Sequence, residues 1–123
     1  MRVLLAEDHA DTREMFVTYL WTHAITVDVA VTGLQAVDLA VASPPDIIVL
    51  DLQMPGMDGW TAARHLRANA VTRDIPIIAM SAHAFPDDEA RAYDSGCDAF
   101  LSKPCPPPVL LAALHRCRSR RFA

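Results

Sequence analysis

Three acids, a serine and a lysine stand where apolar runs end. Glu7 and Asp8 follow VLLA, Asp51 follows DIIVL, Ser81 follows IPIIAM and Lys103 follows DAFLS. An ionised carboxylate is costly to bury unless it is paired, hydrogen-bonded or metal-bound. Asp51 closes Ile47–Leu50 and precedes a Pro55-Gly56 turn, so its charge needs a partner. Brought side by side, three acids repel at about 4 kcal/mol per close pair at an intermediate dielectric. A cluster of hard oxygen ligands suits Mg2+, which commonly keeps several waters and binds phosphate oxygens. With Lys103 opposite, the set fits a dianionic phosphoryl group bridged by a metal and a lysine. Asp51 is the nucleophile candidate, because a carboxylate can form an acyl phosphate. The chain carries neither G-x-x-x-x-G-K-[ST] nor G-x-G-x-x-G, so the phosphoryl donor is expected to come from outside it.

These residues meet only if the elements before them share a sheet edge. Apolar runs at 3–6, 26–30, 46–50, 75–80 and 98–102 alternate with helical patterns at 11–23, 32–42, 58–69, 86–96 and 107–120. Strand and helix alternation of this kind implies a parallel sheet with helices on both faces. The runs at 3–6, 46–50 and 75–80 are apolar throughout, as in strands buried on both sides. Thr26, Asp28, Asp98 and Ser102 make the other two runs edge strands. The expected fold is α/β: a flavodoxin-like, doubly wound five-stranded parallel sheet in order 2-1-3-4-5, a (βα)5 three-layer sandwich. All strand C-termini then lie at one edge, where ligands bind in such sheets. Helix signals agree: Asp11 with Glu14, Thr32 with Gln35, and Asp58 read as N-caps, Pro86 as a first helical residue and Gly96 as a stop.

The 123 residues fit one domain spanning 1–123, with 52% hydrophobic and 21% charged residues against disorder. No apolar run approaches the roughly 20 residues of a membrane span, and no signal-peptide pattern opens the chain. The net charge of −4 argues against direct nucleic-acid binding. Cys97, Cys105 and Cys117 form no metal or redox spacing, which suits a reducing cytoplasm.

The stretches LLAEDHADTRE, VLDLQMPGMDGW, IIAMSAHAF and FLSKP, in this order, resemble the receiver domain of bacterial two-component response regulators. The resemblance covers essentially all of 2–117, and D-x-x-M-P-x-M-D-G at 51–59 is its most specific element. It implies that Asp51 is the phosphoacceptor, and that Asp8, Asp51 and the Gln53 backbone carbonyl ligate Mg2+, with Glu7 acting through water. It further implies that Lys103 contacts the phosphoryl oxygens, that Ser81 shifts toward the phosphoryl group, and that Phe100 is the switch aromatic. Gln53 and His83 occupy positions that tune dephosphorylation. The Lys103-Pro104 bond is expected to be cis. The implied partners are a sensor histidine kinase or a histidine phosphotransfer protein, and a downstream effector on the face of the fourth helix, fifth strand and fifth helix. The role is that of a phosphoacceptor, not an enzyme. The acid pair is Glu-Asp, Ser81 replaces the more frequent threonine, and Phe100 lacks the hydroxyl of a tyrosine.

Other residues carry plainer expectations. His9 reads as a solvated loop histidine rather than a transition-metal ligand. His23, His65 and His115 suit helix surfaces, and Trp21 and Trp60 suit packing. The basic tail HRCRSRR at 115–121 suits a helix C-terminus. Three other functions remain to be weighed. An aspartate-based phosphohydrolase of haloacid dehalogenase type needs a second acid two residues after Asp51, where Gln53 stands. A pseudo-receiver would lack the full acid, serine and lysine set. Flavin binding is opposed by the acids after the first strand.

Overall fold

The computed structural model describes residues 1–82 and 85–122, with side chains as far as 118. Five strands, β1 (Arg2–Ala6), β2 (Thr26–Ala30), β3 (Ile47–Asp51), β4 (Ile77–Ser81) and β5 (Ala99–Ser102), alternate with five helices. The helices are α1 (Ala10–Trp21), α2 (Gly33–Ala42), α3 (Gly59–Ala68), α4 (Pro86–Asp94) and α5 (Pro107–Phe122). The sheet is parallel throughout, in the order β2-β1-β3-β4-β5, as the strand polarity implies.

β3 and β4 are buried at every position, whereas β2 and β5 show the exposure of edges. Side chains alternate across the strands. Leu4, Ala6, Ile48, Leu50, Ile77 and Ala79 face the core under α2 and α3. Val3, Leu5, Ile47, Val49, Ile78 and Met80 face Phe16 and Leu20 of α1 and Leu110, Leu114 and Cys117 of α5. Two cores therefore clamp the central strands from both sides, and the strand ends inherit that rigidity.

Most helix boundaries follow the capping chemistry. Thr32 Oγ1 accepts from Gln35 N at 3.1 Å, and Asp58 Oδ1 accepts from Thr61 N at 2.8 Å. The Gln35 side chain reaches back one residue further than a capping box requires, to Val31 N at 2.8 Å. α1 departs from expectation: His9, not Asp11, is its N-cap, without a side-chain cap bond, and the helix starts at Ala10. β4 also starts later than its apolar run. Ile75 N bonds Thr72 O, and Pro76 has no N–H to give, so pairing begins at Ile77, whose N–H goes to Asp98 Oδ2 at 2.8 Å. Trp60 packs in the core, but Trp21 is 70% exposed. The Lys103-Pro104 bond is cis. The cysteines at 97, 105 and 117 are buried.

α4 is the least embedded element, with Ala92 its buried residue. Polar contacts tie it to α3: the Arg91 guanidinium lies 4.1 Å over the Trp60 ring, and Arg64 Nη1 donates to Ser95 Oγ at 3.3 Å. No helix among the described residues is long and apolar enough to cross a membrane.

α3 begins against the end of β3. A Cβ on Gly59 would lie 2.7 Å from both Asp51 O and Leu52 Cα. Both atoms are backbone, so the strand end itself would have to move. Gly59→Ala is expected to lower stability by about 2–3 kcal/mol in urea denaturation. A loss below about 0.5 kcal/mol would contradict this tight seat for the end of β3.

Candidate functional site

The C-terminal ends of β1, β3, β4 and β5 deliver Glu7, Asp51, Ser81 and Lys103 to one sheet edge. Register does this directly: Asp51 stands beside Met80, and Ser81 beside Ser102. Glu7 is 1% exposed, Asp51 3% and Ser81 0%. Lys103 Nζ sits between the two acids, 2.5 Å from Glu7 Oε1 and 2.8 Å from Asp51 Oδ2. Its N–H returns to Ser81 O at 2.8 Å, which fixes the root of the side chain.

The acids keep further partners. Asp51 Oδ1 accepts from Gln53 N at 3.0 Å. Glu7 Oε2 accepts from His9 N at 3.2 Å, and Arg13 Nη1 holds Glu7 O at 3.0 Å. Asp8 Oδ1 is buried and has no hydrogen-bond partner among the described residues. One ligand atom each from Glu7, Asp8, His9 and Asp51 falls within a 4.8 Å cluster. A buried carboxylate oxygen with no hydrogen-bond partner among the described residues, beside two buried acids, fits a hard divalent ion.

Electrostatics divide the acids. Burial pushes Asp51 up to about 6, against the Lys103 hydrogen bond and with the nearby Glu7 charge adding to the rise. Burial would also raise Glu7, but its hydrogen bonds to Lys103, to Asp51 and from the His9 backbone outweigh that and hold it below its ordinary value. Lys103 is raised: desolvation opposes the charge, and the two carboxylates more than restore it. Burial thus raises Asp51, while hydrogen bonds hold Glu7 low.

Ser81 engages Gln53. Its Oγ faces the Gln53 side-chain amide, with Nε2 at 2.9 Å and Oε1 at 3.1 Å, and Gln53 Oε1 also accepts from Ala82 N at 3.3 Å. The family resemblance implies a backbone carbonyl and a tuning position for Gln53, and the structure adds a bridge from its amide to Ser81. Such a bridge spans 28 residues and has no local signature. Phe100 is half-buried against the core beneath α3 and pairs with Ala79. His83 lies outside the described residues. His9, expected to be solvated, is exposed but has its Nδ1 3.3 Å from both Glu7 Oε2 and Asp8 Oδ1.

A family model described as the response regulator receiver domain matches residues 3–115. The chain is 33% identical over 112 residues to the polar-differentiation response regulator DivK of Brucella ovis, covering 91% of each chain. It is 34% identical over 114 residues to the DNA-binding dual master transcriptional regulator RpaA of Synechocystis sp., covering 93% of this chain. It spans 47% of that relative, about half its length. Among solved structures, it superposes with a TM-score of 0.89 on the receiver domain of a sensor histidine kinase from Pseudomonas aeruginosa, at 30% identity. That likeness covers 96% of this chain and 97% of the other, which carries a magnesium ion coordinated in its active-site cleft.

The raised acidity constant has a consequence for stability. The native state keeps the Asp51 proton up to about pH 6, whereas an unfolded chain releases it near 3.8. Between these values the native state binds more protons, so stability falls as pH rises through the window. Glu7 acts oppositely, but below its ordinary 4.5. In chelator-treated protein, Asp51→Asn is therefore expected to be more stable than wild type by about 1–3 kcal/mol at pH 7. The difference should vanish near pH 4. Equal denaturation midpoints at pH 7 would show that the buried acids carry no net penalty.

Proposed function

The chain belongs to the response regulator receiver domain family, and from that premise we propose that Asp51 accepts a phosphoryl group and that the fold relays its arrival to a partner surface. The observation that carries this reading is Lys103 Nζ, held between Glu7 and Asp51 at the sheet edge. It is a cation stationed where a phosphoryl group on Asp51 would place its oxygens.

In this reading a phosphohistidine of a sensor histidine kinase or histidine phosphotransfer protein is the donor. An Asp51 carboxylate oxygen attacks phosphorus, the P–N bond breaks with its electrons returning to the imidazole, and an acyl phosphate forms. Glu7, Asp8 and Asp51, with the Gln53 backbone carbonyl, would hold Mg2+, which when bound neutralises charge on the phosphoryl oxygens. Glu7 would contribute through water, as the family resemblance implies. Lys103 Nζ swings from the carboxylates to a phosphoryl oxygen. Ser81 exchanges the Gln53 amide for a phosphoryl oxygen as hydrogen-bond partner. Gln53 then becomes free to move, which gives it a role in phosphoryl lifetime, together with His83.

The output proposed is the face of α4, β5 and α5. α4 buries little beyond Ala92, and Phe85 and Tyr93 are exposed there. Ser81 ends β4 immediately before that helix, and Phe100 on the adjacent β5 fills space if Ser81 moves. Phosphorylation would bias an existing equilibrium between two arrangements of this face. The domain acts as a phosphoacceptor rather than as an enzyme with turnover. A phosphohydrolase would need a general acid two residues after Asp51, where a neutral amide bonded to Ser81 stands. A cytoplasmic setting follows from a kinase partner and suits three cysteines without metal or redox spacing.

Incubation with acetyl phosphate and Mg2+ should add one phosphoryl group to wild type by intact-mass spectrometry. Asp51→Asn should not be labelled, and chelation of Mg2+ should abolish labelling of wild type. Lys103→Met should slow labelling by about 10²-fold or more, as for loss of one preorganised stabilising group. Labelling of Asp51→Asn at the wild-type rate would sink the assignment.

A further inference from the structure

A groove of about 590 Å³ lies between α1 and the start of α5, lined by Asp11, Glu14, Met15, Tyr19, Thr22 and Pro107. It shares no residue with the acid cluster. Both helices follow strands of one parallel sheet and cover the same core, so they start at one sheet edge and run side by side in one direction. Asp11 and Pro107 therefore mark one end of this face. At 1.5 Å per residue, Thr22 and Arg118 each lie about 16 Å further along their helices and mark the other. Leu111 and Arg118, at spacings of four and eleven from Pro107, continue its stripe along α5.

Charge is divided along the face. Asp11 and Glu14 are exposed acids at the first end, and Arg118 is an exposed cation at the second. The sequence deepens this polarity, with Arg120 and Arg121 after Arg118 and no acid after Asp98. Asp11, Glu14 and Arg118 form no ion pair among the described residues. Between the charged ends stands Met15, 43% exposed, with Tyr19 and Leu111 half-buried against the core beneath.

A surface of this kind complements its own reverse. A two-fold axis across the groove turns a second copy antiparallel. Each acidic end then meets a basic end, and the two Met15 side chains meet at the centre. A parallel arrangement would set acids against acids. The antiparallel contact is isologous and closes as a dimer, with an apolar centre and a charged rim. We propose that this face docks a second copy of the chain, through α1 and the flank of α5 that carries Pro107 and Arg118. Asp11 and Glu14 of each copy face Arg118 of the other. The contact uses neither α4 nor β5, and it does not depend on the phosphoacceptor reading of Asp51.

Analytical ultracentrifugation of the full chain over a concentration series tests this. Wild type should pass from one to two chain masses with a midpoint of about 10–100 μM, the range of a small transient contact. Raising salt from about 0.05 M to about 0.5 M should move that midpoint upward at least threefold, because the rim charges are exposed. Glu14→Arg and Arg118→Glu should each raise it at least tenfold. The chain carrying both reversals should recover at least threefold over either alone. Met15→Glu, which sets two acids at the axis, should leave a single chain mass. Melting curves matching wild type check that these exposed substitutions leave the fold intact. A wild type that stays at one chain mass throughout would overturn the proposal. So would a dimer that neither charge reversal weakens, or one that the paired reversal fails to recover.

Discussion

Two carboxylates buried side by side define this molecule. Glu7 and Asp51 are almost wholly removed from water, and each would repel the other strongly in that setting. Lys103 relieves the repulsion by bonding both. The relief is partial, because one lysine faces two buried acids and a third, Asp8, beside them. What remains is a standing deficit of positive charge, visible in the raised Asp51 and in the unpartnered Asp8 oxygen. The site is thus stable enough to fold while keeping an excess of negative charge, a state that favours capture of a cation.

Such a deficit is tolerable only on rigid supports. β3 and β4 are covered on both faces, and their ends cannot retreat to solvate the acids. Gly59 lets α3 press directly on the backbone of Asp51 and Leu52, closing off another route of relaxation. The Lys103 side chain is held at its root by the bond from its N–H to Ser81 O. The contrast is α4, fastened mainly by Ala92 and by arginine contacts to Trp60 and Ser95. A stiff, charged edge thus adjoins a lightly held helix, and the Gln53 amide bonds Ser81 and Ala82 at the end of β4.

The fold was largely legible because its causes are local or periodic. Continuous apolar runs placed β1, β3 and β4 in the centre, polar residues placed β2 and β5 at the edges, and the order followed. Thr32, Asp58 and Pro86 announced their helices through backbone chemistry that needs only neighbouring residues. Errors arose where a distant group decided. β4 begins at Ile77, whose N–H goes to Asp98 twenty-one residues on. Trp21 fitted a helical pattern yet faces solvent, since no neighbouring layer covers that side of α1.

The sequence by itself determined which residue types reach the sheet edge: acids after β1 and β3, a serine on β4 and a lysine after β5. Strand polarity is a property of the chain, so convergence at one edge follows from alternation alone. Tertiary structure decided how those residues share their charges. It placed Lys103 between Glu7 and Asp51, gave Gln53 to Ser81, and turned His9 toward the acids from a loop that looked merely solvated. The first two of those outcomes depend on distances of a few ångströms between segments far apart in the chain. Over such distances Coulomb energies and hydrogen bonds change by several kcal/mol, and no sequence spacing encodes them.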